Sequence, residues 1–363
     1  MDSRWETARA LPFTLPERER VTRIRQVDTA TLLATTGART QAMAGFEDSF
    51  RDIVDYIVRI TERIWTDRAI GYIRDTYDAS CTVYSNTGVV RSVDEVVAAT
   101  IATIVALPEI EVHHINVAWD GDAAAGFYTS HLGWTRSLNV GTTLYGPATG
   151  REVGRRFIAD CISRDNRIHT EWLVHDAGAV VRALGLSVDA AAAILADEAP
   201  REQLVVAAPF ANAAHAAVAG DLHPGTPDGF ARLMMHDVWA AKRLDRLADL
   251  YAPDAVAHSA GGRVAQGVRQ IGDLMLRLMV SLPDGVMAVE HVCWSDETDG
   301  VILAVRWRLT GTTRRGGLLG DALPTGRLVS MLGASHYRFE GARIVEEWTV
   351  FDEVAAVAQA LRG

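Results

Sequence analysis

The sequence predicts an α+β fold written twice along one chain of 363 residues. Three observations carry that prediction. The stretch RIHTEWLVHD at Arg167–Asp176 returns as RIVEEWTVFD at Arg343–Asp352, with Arg, Ile, Glu, Trp, Val and Asp in the same order. Upstream, IWTDRAIGYIRDTYDASCTVYS from Ile64 lies on VWAAKRLDRLADLYAPDAVAHS from Val238, pairing Trp65 with Trp239 and Tyr77 with Tyr251, and Trp119 further on pairs with Trp294. Within each copy helical periodicity comes first and strand alternation follows. Copies of about 125–135 residues have the size of a domain, whereas solenoid repeats run to roughly 20–50.

In chain order, residues 1–45 have no counterpart in the second half, and PERERVTRIRQVDTATLLATT predicts a helix opening at Pro16, with Val21, Ile24, Val27, Leu32 and Leu33 near a helical period. The first domain, 46–186, opens with Ile53, Ile57, Ile60, Ile64, Ile70 and Ile73 at helical spacings around one break. A short strand CTVYS follows, and then a helix whose Ser92 and Glu95 form a capping box. EVHHINVAW, AGFYTSHLGW, REVGRRFIADCIS and RIHTEWLVHD read as four strands separated by Gly, Asp and Asn turns. A linker over 187–225 begins as a helix capped by Ser187 and ends in Gly and Pro. The second domain, 226–363, repeats the first.

Composition narrows the function. A net charge of −10 and a pI near 5.6 argue against nucleic-acid and anionic-membrane partners, which draw on clustered Lys and Arg. Three scattered cysteines, Cys81, Cys161 and Cys293, offer no C-x-x-C spacing and fit a reducing compartment. The N-terminus lacks a continuous apolar core, and no uncharged run approaches the ~18 residues of a membrane span, so a soluble cytoplasmic protein is expected. No spacing of a metal site or nucleotide cradle is present, so neither metal nor cofactor is expected.

WAAKRLDRLADLYAPDAVAH, PTGRLV and ARIVEEWTVFD in the second domain, with ATGREV and NRIHTEWLVHD as their echoes in the first, resemble the SnoaL-like polyketide cyclase branch of the nuclear transport factor two-like superfamily. The resemblance covers about 46–186 and 226–363. It implies two cone-shaped α+β barrels, each a curved antiparallel sheet wrapped by helices around one pocket, forming an internal pseudo-dimer or a homo-oligomer. It also implies a small hydrophobic or carbonyl-containing ligand and cofactor-free acid/base chemistry of a cyclase, isomerase or lyase. A non-catalytic binding or assembly module and an epoxide hydrolase, the latter suggested by Asp160 with Arg155 or Arg156, are the alternatives.

Strand alternation places Ile168, Thr170, Trp172, Val174 and Asp176 on one face, and Ile344, Glu346, Trp348, Val350 and Asp352 on its counterpart. An apolar strip ending in a carboxylate suits a pocket with an acid/base group, although Asp176 and Asp352 equally suit caps of the helices that follow. Asp160, between Ile158 and Ile162, is a candidate acid or base, or a buried Asp paired to Arg155 or Arg156. His131, aligned with Trp307, completes the catalytic set of Asp160, Asp176 and His131 as a proton relay. Tyr84, His169, Thr170, Trp172, Trp307, Glu346, Trp348 and Asp352 make up the substrate-binding set. With Asp160 aligned to Ser335, the first domain is expected to carry the chemistry.

Overall fold

The computed structural model describes residues 10–197 and 223–362, so residues 198–222 of the linker and the first nine residues lie outside the described residues. The first unit runs α1 (Thr29–Ala34), α2 (Ile53–Trp65), a 3-10 turn (Ile70–Tyr72), α3 (Ile73–Thr76), β1 (Tyr77–Ser85), β2 (Gly88–Val90), α4 (Val93–Ala106), β3 (Glu111–Asp122), β4 (Gly126–Leu138), β5 (Glu152–Arg164), β6 (Arg167–His175), α5 (Ala177–Leu184) and α6 (Val188–Asp197). The second unit runs α7 (Pro227–Met235), α8 (Leu247–Leu250), β7 (Tyr251–Ser259), β8 (Arg263–Gln266), α9 (Gly267–Ser281), β9 (Val286–Glu297), β10 (Gly300–Thr312), β11 (Leu328–Glu340), β12 (Arg343–Phe351) and α10 (Glu353–Arg362). A π-helical turn at His236–Ala240 and a 3-10 turn at Leu244–Arg246 follow α7. From α3 to α5 and from α8 to α10 the order of elements is the same.

Local chemistry explains the starts of the helices. Asp52 accepts from the amides of Val54 and Asp55 to open α2, Ser92 accepts from Glu95 to open α4, and Ser187 accepts from Ala190 to open α6. The helix expected from Pro16 does not form. Residues 14–24 run extended, and only Asp28 nucleates the short α1. The reason is tertiary: the arginines and apolar residues of this segment are engaged by both units instead of stacking on one helix face.

The strands form one open mixed sheet in the order β2-β1-β6-β5-β4-β3-β9-β10-β11-β12-β7-β8. Pairing is antiparallel except for β1 with β6 and β7 with β12. The two halves also meet face to face. Leu132, Ile158 and Val174 of the first pack against Leu332, Ala334, Trp348 and Val350 of the second. The opposite face of each half closes under its helices on a separate core, centred on Ile53, Ile57, Phe127 and Phe157 in one unit and on Leu303, Trp307, Tyr337 and Val354 in the other.

Polar groups fix this packing. His336 bonds Ser130 at 2.9 Å and Asn116 at 3.2 Å, and Ser295 donates to Asn116, all of them buried. Asn86 exchanges two hydrogen bonds with the Leu332 backbone. Glu353, fully buried, lies between Arg182 of the first unit and Arg263 of its own. Among the described residues no single helix is long and apolar enough to cross a membrane.

Candidate functional site

The interior of the first unit holds a chain of titratable side chains drawn from three elements. Glu62 on α2 accepts from, or is paired with, His114 Nε2 at 2.8 Å, and His114 Nδ1 lies 2.9 Å from His131 Nε2. His114 stands on β3 and His131 on β4, and their rings stack at 17° with centroids 5.0 Å apart. Phe157 closes on His131 edge-on. Burial works to raise the Glu62 carboxyl, but hydrogen bonds from His114 and Thr66 prevail and hold it below its ordinary value. Burial, reinforced by His114 and His336, pushes His131 well below an ordinary imidazole. An ionised Glu62 therefore fixes the proton order by hydrogen-bond logic. His114 donates from Nε2 and accepts at Nδ1, His131 donates from Nε2, and His131 Nδ1 is left as a lone pair.

Each interior also holds a tyrosine–glutamate pair. Tyr77 donates to Glu171 at 3.1 Å in the first unit, and Tyr251 donates to Glu347 at 2.6 Å in the second. Burial pushes the Glu171 carboxyl up to about 7 against its hydrogen bond from Tyr77, and burial likewise raises Glu347 against those from Thr349 and Tyr251. Glu171 thus binds a proton in the folded chain that the unfolded chain releases above its ordinary pKa of 4.5. Its contribution to stability is present below that value and is lost as pH rises through about 7. Glu171→Gln is therefore expected to gain on the wild type between pH 4.5 and 8, by up to about 3 kcal/mol. Urea unfolding of both proteins at several pH values measures this, and a pH-independent difference would refute the assignment.

In the second unit Glu347 opens on a cavity. Trp307, Ser335, Tyr337, Glu347 and Thr349 line it together with Met235, Trp239, Met275, Met287 and Phe351. Trp307 Nε1 donates to Ser335 at 2.9 Å, and Ser335 bonds Thr349 at 2.7 Å. The cavity is narrow, with about 40 Å³ of water-sized space, enough for roughly three waters.

The structure redistributes the residues expected from the sequence. One extra residue bulges β6 at His169, because Ser163 faces Ile168 while Ile162 faces Thr170, and Val345 bulges β12 in the same way. Beyond the bulge the phase reverses. Ile168 and Ile344 point into the cores, but Thr170, Trp172, Glu346 and Trp348 point to the face between the units. The interior positions are instead Glu171 and Glu347. His169 sits at the surface, bonding the Arg164 carbonyl, and Tyr84 stacks on Trp172 on the inter-unit side. Glu346 engages Arg25, Arg338 and His258 there.

Asp160 also faces the other unit. Tyr128 donates to its Oδ2, Arg306 of the second unit stands 3.7 Å away, and Oδ1 has no partner. Burial raises its carboxyl against the pull of Arg306. Arg306, rather than Arg155 or Arg156, is thus its cation. Asp176 caps α5 through Ala179 and accepts from Gly261 and Gly262 across the units, and Asp352 caps α10 through Ala355. Burial pushes Asp352 up to about 7.

Register also corrects two pairings. Asp160 and His336 face Trp172 and Trp348 respectively, so His336, not Ser335, occupies the place of Asp160. Across β4 and β10, His131 faces Ala159 and Val305 faces Ser335, so Val305, not Trp307, stands where His131 does. Trp307 instead corresponds to Gly133. The histidine chain therefore belongs to the first unit alone. Sequence reasoning missed Glu62, His114, Glu171 and Glu347 as site residues. The glutamates recur in both copies of the terminal motif, a signal obscured by the wrong strand phase. Among the described residues no group of three or more His, Cys, Asp or Glu is placed to hold a metal ion.

The family model of the SnoaL-like polyketide cyclases matches residues 230–360, the second unit. Similar solved structures include a SnoaL-like polyketide cyclase from Jannaschia sp. CCS1, at 20% identity over 36% of this chain and 87% of that one, with a TM-score of 0.31. A polyketide cyclase from Acidithiobacillus ferrooxidans aligns at 19% identity over 38% and 94%, TM-score 0.31. IdmH, a polyketide cyclase from Streptomyces antibioticus, aligns at 25% over 34% and 91%, TM-score 0.30. No curated protein sequence matches the chain significantly. The match to the family model thus falls on the second unit, whose own elements form an α+β fold.

Proposed function

We propose that the chain is a small-molecule enzyme that moves protons without a cofactor, as a cyclase, isomerase or lyase acting on a carbonyl-containing substrate in its first unit. The chain Glu62–His114–His131 carries this reading. A proton taken by His131 Nδ1 from carbon next to a carbonyl is matched by passage of the Nε2 proton to His114. The positive charge then rests on His114 against the Glu62 carboxylate. This answers the objection that a buried His131 resists protonation, because the charge does not stay on it. The face-to-face sheets support reading the chain as an internal pseudo-dimer, with the catalytic unit braced by the other.

The cavity beside Glu347 favours a second reading, in which the second unit binds a neutral apolar molecule. Its three methionines are adaptable enough to widen the slot. The epoxide-hydrolase alternative loses its motivating pair, since neither Arg155 nor Arg156 engages Asp160.

A panel of cyclic ketones and 1,3-diketones incubated in D2O, with deuterium uptake followed by NMR, tests the proposal. Catalysed exchange is expected for the wild type and for Glu347→Gln, and loss of it for His131→Phe. The opposite pattern would move the chemistry to the second unit, and no exchange by the wild type across the panel would leave only the binding reading.

A further inference from the structure

The seam between the two half-sheets is formed by very little strand pairing. β3 and β9 meet at a single residue pair, Trp119 with Trp294. The carbonyls of both residues are instead taken by one side chain from elsewhere. Arg18 Nη1 donates to Trp119 O at 2.6 Å and Nη2 to Trp294 O at 2.7 Å, while its guanidinium carbon lies 4.1 Å and 3.2 Å from the centroids of the two indoles. A planar fork with fixed N–H directions suits two carbonyls and two aromatic faces at once, where an ammonium would not.

Arg18 is the centre of a longer set of contacts. On one side of it Phe13 packs on Phe230 and Phe339 in the second unit, and Thr14 donates to Gly225 O. On the other side Thr22 bonds Asp52 through both its amide and its hydroxyl, and Ile24 is buried in the first core. Between these anchors Arg23 pairs with Asp296, Arg25 bonds Asp299 at 2.9 Å, the Arg25 amide reaches Glu297, and Arg25 also approaches Glu346. Two arginines, Arg23 and Arg25, therefore meet the carboxylates of Asp296, Asp299 and Glu346, the Arg25 amide adds Glu297, and Arg18 takes the two carbonyls of the seam.

We propose that the seam is a recognition groove for an extended, arginine-bearing peptide segment, filled in this structure by residues 13–25 of the chain itself. Two indoles and two backbone carbonyls read the first arginine, and the acidic cluster reads the other two, five and seven residues further on. Because Arg23 and Asp296 are about half exposed, this part of the attachment is ionic and sensitive to salt, whereas the Arg18 position is shielded.

The test uses the full chain carrying Arg18→Gln, Arg23→Gln and Arg25→Gln together, and a fluorescent synthetic peptide of residues 11–28 with the natural sequence. The variant is expected to bind the peptide at low ionic strength, at least about tenfold more tightly than the wild type, whose groove is already filled. Binding should weaken by about tenfold in 0.5 M salt as exposed charges are screened. A peptide with the same three substitutions is expected not to bind. Failure of the folded variant to bind the natural peptide, or equal binding of the substituted one, overturns the proposal. Should the triple variant not fold, Asp296→Asn with Asp299→Asn replaces it, and hydrogen exchange over residues 18–25 must then be faster than in the wild type. Unchanged exchange overturns the proposal.

Discussion

Glu62→Gln is expected to leave the fold intact and to lower turnover by about 10²–10⁴-fold, the range that separates a correctly placed proton from a misplaced one. The substitution keeps the shape of the side chain and removes its charge. It also supplies a donor, since a glutamine amide facing His114 Nε2 can present N–H where the carboxylate could only accept. With the amide N–H turned toward His114 the whole chain reverses. His114 donates from Nδ1, His131 accepts at Nε2, and the proton of His131 moves to Nδ1, so a base becomes a donor. Nitrogen NMR of the ring reads the tautomer of His131 directly and separates this outcome from simple loss of structure. Retention of full turnover together with an inverted tautomer would remove His131 as the base, and His131 protonated on Nδ1 in the wild type would refute the proton order.

Gly333→Ala is expected to destabilise the second unit by about 2–3 kcal/mol and to disturb its cavity. Trp307 and Gly333 are direct partners across β10 and β11, and a Cβ on Gly333 would fall on the indole of Trp307, which is almost fully buried. The ring cannot simply swing away, because Nε1 is held by Ser335 and Phe351 packs against it. The first unit solves the same steric problem with the partners exchanged, Phe157 lying over Gly133. Gly71→Ala provides a contrast, since a Cβ there meets nothing within 4 Å. It is expected to change stability by less than about 0.5 kcal/mol. Urea unfolding followed by tryptophan fluorescence measures both, and equal effects of the two substitutions would show that the contact with Trp307 is not what sets the cost.

The repeated motif and the capping residues made much of the fold legible, because both depend on neighbours in sequence. Ser92 and Ser187 act on amides three residues away, so their roles can be read locally. The site was less legible for three physical reasons. A one-residue bulge at His169 or Val345 leaves no mark in composition yet reverses every side chain after it, which exchanged Trp172 for Glu171 and Trp348 for Glu347. The pairing of Glu62 with His114 joins a helix to a strand 52 residues later, and strand alternation cannot foresee it. The helical pattern around Val21, Ile24 and Val27 was real as spacing, but the arginines between found partners more than 270 residues away and drew the segment out straight. His131 lies in the interior of the first unit, and the alignment that placed it opposite Trp307 was two residues out.

The face that joins the half-sheets sets a problem of timing during synthesis. A ribosome makes the first unit, through α6, before any of the strands that cover Leu132, Ile158 and Val174 exist. At roughly 5–20 residues per second, the remaining chain takes on the order of 10–35 s to appear. Throughout that interval the nascent first unit displays an apolar sheet face carrying Asp160, whose eventual cation Arg306 has not yet been made. While its partner is missing, that carboxylate can stay hydrated and charged, which would discourage two unfinished chains from sealing their faces together. A carboxylate that is awkward in the finished protein can thus act as a temporary guard for the growing one.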